Sequence, residues 1–166
     1  MTTKLPIAQV LCPVDFSEDS KVALRSAAAL AGEYGATLVV LHVDPVVFSA
    51  MGDVPPGPDP GARQALFDRL SGFAQAVRRP GLRIEVQLAE GSPVGEILAR
   101  ARELPADIIV MGAHGRGGLE RLLLGSVTTK VLRHAPCPVL CVPRESALLP
   151  GELRPAVGRL SLVQPY

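Results

Sequence analysis

Residues 106–130 read Ala106-Asp-Ile-Ile-Val-Met-Gly-Ala-His-Gly-Arg-Gly-Gly-Leu-Glu-Arg-Leu-Leu-Leu-Gly-Ser-Val-Thr-Thr-Lys130. Three textures follow one another in this stretch. Ala106 to Met111 is short and apolar, as a buried strand is. Gly112 to Gly125 is a loop with five glycines. Ser126 opens a short helical segment that runs to His134. Strand, glycine-rich loop and helix in that order are one period of a strand–helix alternation, the pattern of a parallel sheet.

The alternation extends outward in both directions. Ile7 to Val14 is a β-branched apolar run, a strand buried on both faces that ends at Pro13-Val14-Asp15. Ser17 is a candidate helix cap, with Glu18 and Asp19 where the helix dipole favours acids. Lys21 to Tyr34 is helical and stops at Gly35. Thr37 to Val43 is a second buried strand. Asp44 to Gly61 carries five prolines and three glycines and reads as an irregular insert. Ala62 to Arg79 returns to helical spacing, with Ala65, Leu66, Leu70, Phe73 and Val77 as its apolar stripe. Arg83 to Leu88 alternates as a third strand. Ser92 caps and Pro93 opens a short helix through Val94 to Arg102. Pro138 to Val142 is a fifth strand, and the prolines around it suit a sheet edge. The tail, 144–166, has three prolines and is expected to be mostly irregular. The fold class is therefore α/β: a five-stranded parallel sheet with helices on both faces. Such sheets bind ligands beyond the carboxyl ends of their strands, where chain order reverses. If the fourth strand lies beside the first, Pro13-Val14-Asp15 and Met111-Gly112 end side by side.

Bulk properties narrow the partners. The chain has 166 residues, enough for one self-sufficient core. A formal net charge of +1 argues against a nucleic-acid or anionic-membrane partner, which would select a basic excess. Cys12, Cys137 and Cys141 sit in or beside apolar runs and read as buried, reduced thiols. Cys137 and Cys141 would stand about 13 Å apart along one strand, too far for a disulfide. The first apolar run is broken by Pro13 and Asp15 and does not read as a leader. No run approaches the roughly 20 apolar residues of a membrane span. The expected location is the cytoplasm.

The glycine-rich loop points to an anion. Gly112 and Gly115 let backbone N–H groups approach a ligand with no Cβ in the way. Gly125-Ser126 opens a helix whose free N–H groups and dipole favour phosphate. Ser126, Thr128 and Thr129 add hydroxyls, and Arg116 can add a charge-assisted contact. The Walker pattern is absent, and Gly115-x-Gly117 lacks the third glycine of the dinucleotide fingerprint. On composition alone, a plain turn with Ser126 as helix cap stays open beside the phosphate reading.

The spacing Gly112-x2-Gly115-x9-Gly125-Ser126 resembles the nucleotide-binding signature of the universal stress protein family. So do the opening Pro-Val-Asp-Phe-Ser, the Leu-His-Val of the second strand and the closing Ala-Pro-Cys-Pro-Val-Leu-Cys-Val-Pro. The resemblance spans about Ile7 to Pro143, so 1–143 is taken as the nucleotide-binding domain. It implies a Rossmann-like sheet in the order 3-2-1-4-5, a homodimer formed through strand 138–142, and ATP as ligand, with Mg2+ as a companion ion. It implies that Pro13 and Asp15 line the nucleoside pocket, Asp15 near the ribose, and that Val43 meets the adenine. Met111 and Gly112 would cover base and ribose. Gly115, Arg116, Gly125, Ser126 and Val127 would hold phosphates, with Thr128 nearby. Ala113, His114 and Gly117 complete the candidate set.

Each sharp reading has a plainer companion. Asp15 can also cap the next helix. His42, in an apolar strand, reads as a satisfied core histidine. His114 can approach a nucleotide, but no base–nucleophile pair surrounds it. His134, at a helix end, compensates the dipole. The insert is open to a lid or to passive disorder. The function expected is ATP-binding regulation in a stress response. A slow ATPase and a dimeric interaction module are the alternatives.

Overall fold

The computed structural model describes residues 6–45, 59–114 and 124–144. Its elements are β1 (Gln9–Pro13), α1 (Glu18–Tyr34), β2 (Thr37–Asp44), α2 (Pro60–Gln75), β3 (Arg83–Glu90), α3 (Pro93–Glu103), β4 (Ile108–Gly112), α4 (Ser126–His134) and β5 (Val139–Val142). The strands form one sheet in the order β3-β2-β1-β4-β5, and every pair is parallel. This is the Rossmann-like α/β architecture expected from the sequence.

The period of two along a strand explains the continuous apolar runs. Val10, Cys12, Leu38, Val40 and Val110 face one side and pack with residues of α1 and α2, among them Leu24, Ala27, Leu70 and Ala74. Leu11, Val39, Leu41, Ile109 and Met111 face the other and pack with Ile97 and Ala101 of α3 and Val131 of α4. Both faces of β1 are thus buried. Asp107 ties the start of β1 to the start of β4, its carboxylate accepting from the N–H groups of Ala8 and Gln9.

Helix ends follow their local chemistry. Ser17 caps α1 by accepting from the Ser20 N–H, and Gly35 closes it in the left-handed region at φ 67°. The second helix departs from expectation at both ends. Pro60 and Gly61, assigned to the irregular insert by composition, are its first turn, and Asp59 caps it by accepting from the Gly61 N–H. Proline suits that position because the N–H it lacks would have had no helical partner. The helix stops at Gln75 instead of Arg79. The N–H groups of Ala76, Val77 and Arg78 reach back only three residues, a tightened final turn. Pro80 also disfavours helix at Arg79. Leu70 of the expected stripe is fully buried, but Ala65 is exposed and Ala74 is buried in its place. Asp44, the first residue of the expected insert, is instead the last of β2, while 46–58 and the tail from 145 lie outside the described residues.

β5 is a sheet edge, as the prolines suggested. Cys12 is buried, while Cys137 and Cys141 are only half-buried, which corrects the uniform burial expected. Cys137 precedes β5 instead of sharing it with Cys141. Burial raises all three thiols above their ordinary value, Cys141 to about 11. Among the described residues no helix is long and apolar enough to cross a membrane.

Candidate functional site

Chain order reverses between β1 and β4. From β1 the sheet continues through β2 to β3 on one side, and through β4 to β5 on the other. Pro13 pairs with Leu41, and Leu11 with Ile109. Continuing that register sets Pro13 level with Met111, with Val43 just beyond. Val43 and Met111 belong to the buried cluster on the α3/α4 face. Pro13, two residues on from Leu11, shares that face by the strand period. These three candidate residues therefore floor one crevice at the carboxyl edge.

The turn after β1 is pinned throughout. Val14 donates its N–H to the Leu41 carbonyl at 2.8 Å. The Val14 carbonyl accepts from His42 Nδ1 at 2.7 Å, so buried His42 is the satisfied core histidine expected. Asp15 donates its N–H to Ser20 Oγ, and its Oδ1 accepts from the Ser17 N–H and from the hydroxyls of Ser17 and Ser20. Ser17 is the cap itself, and Asp15 braces it, which holds the carboxylate at the end of the central strand. Phe16 beside it has φ 65°, a left-handed conformation rare for a bulky residue.

The described part of the turn after β4 is bonded at its base. Ala113 donates to the Val142 carbonyl, and Gly125 donates back to the Ala113 carbonyl at 2.9 Å. Thr128, buried at the first turn of α4, donates Oγ1–H to the Gly112 carbonyl at 3.0 Å. These bonds bring Gly112, Ala113, Gly125 and Thr128 together across the loop, and Ser126 and Val127 follow on α4. Gly115, Arg116 and Gly117 lie outside the described residues, as does Arg121. Gly125, not Ser126, is the cap of α4. It supplies no side chain, and the first turn of α4 holds no acid. Among the described residues, the amino end of α4 therefore has no acid in its own cap or first turn to face its dipole.

Two candidates sit differently from their sequence reading. A Cβ on Gly112 would stand 3.0 Å from Asp19 Cβ and 3.1 Å from the Asp19 carbonyl carbon. The missing side chain makes room for α1, on the face opposite Met111. His114 turns the same way, with Nδ1 3.7 Å from Asp19 Oδ2. Asp19 is 9% exposed, and Arg144 Nε lies 4.0 Å from its other oxygen. The sequence reading took Asp19 only as a dipole partner. No local signal marks its other role, because its partners come from the far end of the chain.

The chain is similar throughout its core to characterised proteins. The model of the Universal stress protein family matches residues 7–143. A universal stress protein of Methanocaldococcus jannaschii is 33% identical over 143 residues, covering 81% of each chain. A universal stress protein solved in complex with cAMP has 26% identity and a TM-score of 0.61, covering 84% of this chain and 99% of that one. One from Archaeoglobus fulgidus in complex with dAMP has 25% identity and a TM-score of 0.61, covering 82% and 98%. The chain belongs to the universal stress protein family.

Proposed function

We propose that this chain binds an adenine nucleotide, ATP, at the carboxyl edge of β1 and β4, and acts as a regulatory protein of a stress response. The observation that carries the reading is the amino end of α4. It is capped by a glycine, holds no first-turn acid, and is bonded through Gly125 and Thr128 to the end of β4. A helix end of that kind attracts phosphate. Pro13, Val43 and Met111 offer an apolar floor for a base, and Asp15 a carboxylate for sugar hydroxyls. The relatives solved with cAMP and dAMP support the adenine-nucleotide class. ATP is the narrower choice, supported by the glycine–serine signature and by the hydroxyls that Ser126 and Thr129 add beside the helix end. In this reading Gly115, Arg116, Gly125, Ser126 and Val127 hold phosphates, with Mg2+ as their companion ion. Residues 1–143 form the binding domain, the protein works in the cytoplasm, and β5 pairs with a second copy. Val139, Leu140 and Cys141 are half-exposed on that edge, and apolar edges tend to find partners.

Equilibrium binding of labelled ATP tests the reading. Saturable binding is expected, and Gly125→Val abolishes it with the far-ultraviolet dichroism unchanged. Gly125 has φ −56° and ψ 152°, which valine also adopts, so the fold tolerates the change. No saturable binding at millimolar nucleotide would sink the proposal. Timed phosphate release, with Ser126→Ala as control, separates a binding protein from a slow ATPase.

A further inference from the structure

Phe16 breaks the local rules of its own turn. Among the described residues it is the one non-glycine at positive φ. Glycine or asparagine would occupy that backbone region more readily. Contacts elsewhere in the fold must hold the phenylalanine there. Its ring lies 4.4 Å from the His42 ring and meets Phe73 edge-on at 5.5 Å. The Arg69 guanidinium covers it, 4.1 Å from the centroid. Two of these partners, Arg69 and Phe73, belong to α2, and the third to β2.

The same histidine closes a second connection. His42 donates to the Val14 carbonyl while its ring packs on Phe16. Asp15 lies between those two residues. Its backbone is therefore gripped on both flanks, and its carboxylate is fixed by Ser17 and Ser20. We infer that Phe16 is a positioning residue: its ring, clamped by His42, Arg69 and Phe73, sets Asp15 in the crevice and ties the placement of α2 to it. The inference rests on the nucleotide reading above. It adds that α2, which lines no part of the crevice floor, tunes recognition of the ligand's sugar.

The test combines binding with a measurement that needs no ligand. Calorimetry with ATP and with 2′-deoxy-ATP is run on wild type, Phe16→Gly, Phe16→Leu, Arg69→Ala and Asp15→Ala. Phe16→Gly relieves the backbone and removes the ring. It is expected to weaken ATP about tenfold, the lower end of what loss of an orienting partner costs at metal sites. Its Tm should fall by the lost ring contacts less the relieved strain, whereas Phe16→Leu keeps both the unfavourable φ and part of the apolar contact. A purely structural role would make affinity follow Tm across the series, and that result overturns the inference. The preference for ATP over its 2′-deoxy form should drop in Phe16→Gly, and Phe16→Gly should add nothing in an Asp15→Ala background. Additive effects, or an unchanged preference, also overturn it. In ligand-free protein, Arg69→Ala should speed exchange of the Ser17 amide, which donates to Asp15. Unchanged exchange refutes the clamp whether or not nucleotide binds. If wild type binds no nucleotide while Ser17 exchange quickens, the functional reading falls and the clamp on Asp15 stands.

Discussion

The turns after β1 and β4 lie side by side at one edge of the sheet, yet they treat the next helix in opposite ways. The turn after β1 supplies everything that α1 needs. Ser17 caps it, Asp15 and Ser20 cross-link the cap, and Glu18 and Asp19 face the dipole. The turn after β4 gives α4 a glycine cap with no side chain and no acid in its first turn. Of two neighbouring helix ends, one is satisfied from within and the other suits an anion from outside. In the nucleotide reading proposed above, the phosphates belong to the β4 side and the sugar to the β1 side.

Giving α4 an acid at its amino end, as the first turn of α1 already has, should have the largest effect among the substitutions that probe this contrast. Gly125→Asp is expected to weaken ATP binding about 10- to 100-fold, about 1.4–2.8 kcal/mol. Calorimetry reads the loss, and stability should change by only about a few tenths of a kcal/mol. Retained affinity would break the comparison. Gly112→Ala probes the packing side of the same turn. Its Cβ would meet Asp19 at 3.0 Å, so α1 and β4 must separate. Urea unfolding should report a loss of about 1–3 kcal/mol. Unchanged stability would break the packing account of Gly112. Thr128→Val removes the hydroxyl donor to the Gly112 carbonyl and should cost about 1 kcal/mol by the same measurement.

The smallest effect concerns pH. Burial holds the Cys141 thiol at about 11, against an ordinary 9.0. In the unfolded chain the proton leaves first, so between those values the native state binds more protons. This contribution is full below pH 9, and stability falls as pH rises from 9 towards 11. Cys12 and Cys137 are raised too and act in the same direction. Cys141→Ala should flatten part of that slope in thermal melts. An unchanged slope would mean that the β5 side of the crevice is wetter than its burial indicates.

Much of this was legible in the residues. The apolar runs gave the strands, Ser17 and Gly35 gave both ends of α1, and Pro93 marked the start of α3. Those signals are local, and local chemistry decided them. What stayed hidden depended on distant partners. Asp19 reads as one more first-turn acid until α1 is seen packed across β4, where His114 and Arg144 reach it. Phe16 reads as an apolar residue in a turn, because sequence propensity does not put phenylalanine at positive φ. Pro60 and Gly61 looked like loop because insert and helix start share proline and glycine. Gly112 was rightly singled out, but its neighbour proved to be a helix backbone.

The pairing of β1 with β4 also has a consequence for biosynthesis. Of the five described strands, the first to leave the ribosome is the middle of the finished sheet. Its N–H at Gln9 waits for the carboxylate of Asp107, 98 residues later. At about 5–20 residues per second that wait lasts about 5–20 s. Through it, β1 and β2 can pair on one side while the other edge of β1 has no strand to join. A nascent chain in this state offers an apolar template to its neighbours. The most protected strand of the native protein is, for those seconds, its most exposed.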